Sequence, residues 1–138
     1  MESFYTFVGE YLWAFAVWAV LLFLIIKHES ARTGNSLSVH GVTNLINNEN
    51  AVVIDVRPSD EYRAGHLPDA INLPLKELTQ RAKELKKYQD KPVILICKAG
   101  QHSSSAGGIL LKEGFTNLNR LQGGIYEWQA SKLPLVKS

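Results

Sequence analysis

The sequence holds one cysteine in 138 residues, Cys97, and so has no internal disulfide. It also lacks any Cys/His spacing of the kind that holds zinc. A lone thiol fits a reducing compartment. No G-x-x-x-x-G-K-[ST] stretch occurs, which removes the phosphate-binding loop of nucleotide hydrolases. Fifteen Lys and Arg stand against thirteen Asp and Glu, a net charge of +2. The basic residues are spread among acids, so nothing supports a nucleic-acid partner. Internal repeats and low-complexity tracts are absent. No metal and no cofactor are expected.

One absence is local. Tyr11 to Ile26, "YLWAFAVWAVLLFLII", is sixteen residues without a charge. With "FYTFVG" before Glu10 it approaches the roughly 20 residues that cross a bilayer. A cleaved signal peptide wants a basic start, yet the first ten residues carry only Glu2 and Glu10 as charged side chains. A core helix would show one polar face, and this run is apolar all round. Tyr5, Tyr11 and Trp13 resemble an interfacial aromatic belt. Residues 1–28 are therefore expected to form an uncleaved anchor spanning about 6–26. Lys27 and Arg32 follow the run and no Lys or Arg precedes it. The positive-inside rule then puts the C-terminal side in the cytoplasm. Residues 29–36 read as a polar linker, and 37–138 as one domain.

Within that domain two periods alternate. "SVHGVTNLIN" starts with a capping candidate, Ser38, and spaces Val39, Val42, Leu45 and Ile46 as a helix. "AVVIDV" and "PVILIC" are near-continuous apolar runs, as expected of parallel strands buried on both faces. "AINLP" and "TNLNRL" predict two shorter strands. "PSDEYRAG", "LKELTQRAKELKKY", "SSSAGGILLKEG" and "GIYEWQAS" predict helices. The alternation implies an α/β fold, a parallel sheet of four to five strands with helices on both faces. Ligands bind such sheets beyond the carboxyl ends of the strands.

Cys97 ends its strand, so topology places it at that edge. After it, "CKAGQHSS" turns from strand to helix. Gly100 permits the sharp turn, and Ser103, Ser104 or Ser105 could cap the helix. A helix N-terminus presents unpaired N–H groups and partial positive charge, which favour a thiolate. Lys98 adds a nearby cation. The spacing alone leaves a nucleophilic Cys97 and a space-filling one equally open.

Taken together, four motifs resemble the rhodanese-like (sulfurtransferase) domain. They are "DVRPSDEY", "GHLPDAINLP", "CKAGQHSS" and "LQGGIYEW", in that order, and the likeness runs from Leu37 to about Pro134. An anchor followed by one such domain looks like a bacterial arrangement. The resemblance implies that Cys97 takes sulfur from a small sulfane donor such as thiosulfate. It would hold the sulfur as a persulfide and hand it to a thiol or other nucleophile. Lys98, Ala99, Gly100, Gln101, His102 and Ser103 would cradle that persulfide. The family often carries Arg five residues after the cysteine. His102 stands there in this chain, which weakens the expectation for an anionic donor. Phosphatases of the same fold use a longer loop, of Cys, five residues and Arg. Ser103 occupies that Arg position here, so a phosphate would lose its two-pronged clamp.

Asp55 and Arg57 end the first buried strand, so both could line the site and touch substrate; the resemblance implies instead that they are mainly structural, with Arg57 pairing Glu61 across the short helix. His66 is expected to be a packed turn residue, and Trp128 to pack the last helix on the core. His28 and His40 read as surface groups. The expectation is thus an inner-membrane protein whose cytoplasmic domain is a sulfurtransferase. A rival reading keeps the domain as a membrane-tethered interaction module, with a membrane or cytoplasmic protein partner and an incidental Cys97.

Overall fold

The computed structural model describes residues 2–137, and the side chains of all of these except 29–33. The chain divides into two units, Met1–Ala31 and Arg32–Ser138. The first lies on α1, a helix running Glu2–Thr33. Its stretch Glu2–His28 is 27 residues long and contains an 18-residue window of mean hydropathy 2.0. Phe4, Leu12, Phe15, Trp18, Phe23 and Ile25 are all exposed along it. This is one helix long and apolar enough to cross a membrane.

The second unit is built on five parallel strands in the order β1-β5-β4-β2-β3. They are β1 Asn35–Leu37, β2 Val52–Asp55, β3 Ile71–Asn72, β4 Val93–Ile96 and β5 Leu118–Leu121. The helices are α2 Val39–Glu49, α3 Ser59–Ala64, α4 Leu75–Arg81, a 3₁₀ helix Ala82–Tyr88, α5 Gln101–Lys112 and α6 Gly124–Ala130. Ser38 caps α2, its hydroxyl accepting the Gly41 N–H at 3.2 Å. Every residue of β4 is buried, as a central parallel strand requires.

Two apolar clusters lie on the two faces of the sheet. One joins Ile54, Val56, Leu95 and Cys97 to Leu78, Leu85, Ala106 and Leu110 of α4, the 3₁₀ helix and α5. The other joins Val53, Ile94 and Ile96 to Val42, Ile125 and Trp128 of α2 and α6. Strand pleating assigns the faces, because alternate side chains point opposite ways. Val93, Leu95 and Cys97 therefore share the α5 face.

Three local readings are corrected by the structure. The stretch read as a linker, 29–36, is helical through Thr33 and opens β1 at Asn35. β1 forms because its three residues pair in register with β5, a tertiary partner that local sequence does not reveal. "LKELTQRAKELKKY" is an α-helix only to Arg81 and continues as a 3₁₀ helix. In that continuation Ala82, Leu85 and Tyr88 step by three, which suits the three-residue turn of a 3₁₀ helix. The serine cap expected for α5 is not used either, since the helix begins at Gln101 behind Gly100.

Candidate active site

The strand order places the site. From β2 the chain steps outward to β3, and β4 then enters on the other side of β2 and leads to β5. The carboxyl ends of β2 and β4 thus face a topological switch point, where open α/β sheets bind ligands. Asp55 pairs in register with Ile96, so Cys97 emerges at that switch point.

Cys97 is buried, and its sulfur sits at the start of α5. The Gly100 N–H points at Sγ from 2.8 Å. Ser103 Oγ lies 3.6 Å from Sγ and donates to the Gly100 carbonyl at 2.9 Å. Ser103 is itself fully buried, so its hydroxyl serves the loop and the sulfur rather than water. Gly100 occupies the cap position with φ +98, and no side chain caps the helix. Only glycine adopts that φ without strain. The consequence is chemical: no side chain caps the first N–H groups of α5, and the sulfur sits on the N–H of the cap residue Gly100. Lys98, Ala99, Gln101 and His102 are exposed around it as a rim.

A second turn braces the loop from behind. The Ile125 N–H donates to the Cys97 carbonyl at 2.8 Å, and the Tyr126 N–H to the Lys98 carbonyl at 3.3 Å. Gly124 precedes them with φ +60, and a Cβ built there would collide with the Cys97 carbonyl oxygen. No side chain fits. The exposed Tyr126 ring lies 6.0 Å below Lys98 Nζ, giving the rim one aromatic face.

The rhodanese-like domain family matches residues 38–131. This chain belongs to that family. The uncharacterized protein YibN of Escherichia coli K12 is 34% identical over 141 residues, 99% of this chain and 99% of its own. A sulfurtransferase of Allochromatium vinosum is 33% identical over 92 residues, 67% of this chain and 84% of its own. The crystal structure of a rhodanese-related protein from Thermoplasma volcanium matches with TM-score 0.69 at 30% identity, over 76% of this chain and 100% of that one.

In this rhodanese-like domain Asp55 and Arg57 are not part of the sulfur's surroundings. Pleating puts Asp55 beside Val53, on the α2/α6 face opposite Cys97. Arg57 grips Asp55 with Nε 3.0 Å from Oδ1 and Nη2 2.7 Å from Oδ2, and Nη2 also donates to the Gly65 carbonyl at 2.7 Å. The pairing expected with Glu61 is therefore corrected. Arg57 precedes α3, so its partner is the residue two back on the strand rather than four on along a helix. Tyr62 packs on the same face, and burial followed by the Asp55 charge pushes its phenol up. It stays protonated and donates to the Ala70 carbonyl.

Asn72, assigned no role from the sequence, clasps the turn by donating to the carbonyls of Asp55 and Arg57 at 3.1 and 3.0 Å. A polar residue between Ile71 and Leu73 in a strand was the available signal. His66 is buried, stacked on Tyr62 with ring centroids 3.7 Å apart, as a packed turn residue should be. Trp128 is buried with Nε1 donating to the Pro134 carbonyl at 3.0 Å. His28 and His40 are exposed, and no metal-binding cluster occurs among the described residues.

The brace yields a first prediction. Gly124→Ala must move a backbone oxygen and hold alanine at positive φ. Left-handed backbone costs roughly 1–2 kcal/mol, and overpacking roughly 1–3 more. Urea denaturation should show a loss of about 2–4 kcal/mol, and Cys97 should react abnormally with alkylating reagents. Wild-type stability in Gly124→Ala would mean that the turn does not brace the loop.

Proposed function

We propose that this protein is a membrane-anchored sulfurtransferase that carries sulfane sulfur as a persulfide on Cys97. The observation that carries this reading is the sulfur's position, with a backbone N–H at 2.8 Å and an uncapped helix start before it. The likeness to a protein named as a sulfurtransferase supports the reaction class.

The chemistry follows from that placement. The thiolate sulfur of Cys97 attacks the outer sulfur of a donor such as thiosulfate. An S–S bond forms at Cys97, the donor's S–S bond breaks, and sulfite leaves with the electron pair. An acceptor thiolate then attacks the outer sulfur of the persulfide and releases the Cys97 thiolate. This is covalent catalysis in two displacements. Negative charge sits on one or other sulfur throughout, and fixed N–H donors are suited to hold it. Ser103 can turn its hydroxyl from the Gly100 carbonyl toward an anionic sulfur, adding a second donor. The acid–base demand is small, so no general base is assigned. Cys97→Ser is expected to abolish sulfur transfer to a thiol acceptor, because an alkoxide at serine is not accessible near neutral pH. Residual transfer at the parent rate would move the chemistry elsewhere.

In this reading α1 is a single-pass anchor in the inner membrane, with the domain in the cytoplasm. The 27-residue stretch Glu2–His28 is long enough to cross about 30 Å of hydrocarbon with some tilt. Lys27 after the span and the absence of Lys or Arg before it set the orientation. Alignment with YibN over 99% of both chains means that the likeness extends into α1. Protease added to intact cells should leave residues 37–138 uncut, and cleavage should require opened cells. Digestion in intact cells, or a mature chain lacking its N-terminus, would reject the anchor or its direction.

A further inference from the structure

The strand β5 holds the one buried side-chain polar atom without a hydrogen-bond partner among the described residues, Arg120 Nε. Such atoms are rare and call for a physical reason. Leu118 belongs to the α5-face cluster and Leu121 to the opposite one. Pleating therefore puts Arg120 on the α5 face, the face of Cys97. Arg120 is in register with Leu95, two residues before Cys97 on that same face. Its Nη1 donates to Ser104 Oγ in the first turn of α5. Ser104 adjoins Ser103, whose hydroxyl lies 3.6 Å from the Cys97 sulfur.

Taken alone, this placement is unfavourable in three ways. The guanidinium is partly buried. Among the described residues it makes no ion pair with a carboxylate. It also sits at the helix end that already bears partial positive charge, where cations are disfavoured. Residues that break several local rules together are expected where function compensates. The compensation at hand is negative charge in the space before α5, on the sulfur of Cys97.

We propose that Arg120 is a positioning residue for sulfur transfer: held to the first turn of α5 through Ser104, it supplies a partly buried positive charge that favours negative charge on the Cys97 sulfur. The inference rests on the sulfur-carrier reading. It explains how the site retains a fixed cation although the rim carries His102 in place of the family's frequent Arg. Lys98 and His102 are exposed and screened by water, whereas Arg120 acts through protein. Coupling between two such sites is reciprocal. Removing the charge at 120 should weaken the sulfur's reactivity, and removing the sulfur should leave Arg120 a net burden on the fold.

The test uses the full chain in detergent and needs no sulfur donor. The alkylation rate of Cys97 by iodoacetamide is measured at one near-neutral pH, with melting temperature alongside. Arg120→Met is expected to slow alkylation about three- to tenfold, and Arg120→Lys to recover most of that loss. In a Cys97→Ala background, Arg120→Met should melt no lower than its parent. If Arg120→Met does not fold, Arg120→Gln, a shorter polar side chain that also removes the charge, must show the same slowing. Equal rates with and without the charge, failure of lysine to recover the rate, or a lowered melting temperature in the Cys97→Ala background would each overturn the proposal. Failure of the sulfur-carrier reading looks different, since the parent protein would then acquire no sulfur while these rates could still differ.

Discussion

His102→Arg is expected to raise kcat/KM for thiosulfate by about tenfold or more at pH 8. His102 lies exposed in the first turn of α5, one residue before the serine that adjoins the sulfur. Thiosulfate approaches this rim as a dianion. An arginine there would offer a permanent charge and a planar pair of donors, whereas an imidazole near pH 8 is largely neutral. A charge beside a partly desolvated anion contributes about 1–3 kcal/mol, which corresponds to about tenfold to a hundredfold. Donors that are neutral or already thiol-bound should respond much less. Steady-state rates with both donor classes, each with and without Cys97, separate the effect on the anion from an effect on the cysteine. Unchanged thiosulfate kinetics in a variant whose Cys97 still accepts sulfur would mean that position 102 does not face the donor.

The second large effect falls on stability. Arg57→Met strands a carboxylate that is 1% exposed, leaving Asp55 with only the residue-57 backbone N–H, at 3.0 Å, of the donors that Arg57 now offers. Breaking a buried pair from one side costs about 3–5 kcal/mol, or roughly 15 °C or more in melting temperature for a domain this size. Adding Asp55→Asn should restore at least half of that, because no buried charge then remains. Where the single variant is still folded, alkylation of Cys97 should match the parent, since the pair lies across the sheet from the sulfur. Slowed alkylation at undiminished stability would place Arg57 in the active site instead.

How far the sequence disclosed this molecule depends on which physical rule governed each segment. The strands β2 and β4 were legible because a strand covered on both faces must be apolar throughout, and "VVID" and "VILI" are nearly so. Their order in the sheet was not, since order depends on crossovers rather than composition. Cys97 was legible as a strand-end residue, and topology then required it to face the ligand edge. The capping serines misled because Gly100, at positive φ, lets the chain enter the helix earlier, freeing Ser103 to turn inward toward the sulfur. The Arg57–Glu61 pairing misled because four-residue spacing brings side chains together only on a helix, and α3 starts after Arg57. Arg120 was hidden in "LNRL". That stretch reads only as a short strand, and it took β5 and the placement of α5 to show that Arg120 lies on the cysteine's face.

The sulfur-carrier reading makes one direct demand. The purified chain is reduced, treated with thiosulfate or polysulfide, freed of small molecules and weighed intact. The account predicts a mass increase of one sulfur atom, removed by dithiothreitol and absent in Cys97→Ser. A parent protein that gains no sulfur from either donor, or that gains it equally in Cys97→Ser, would contradict it.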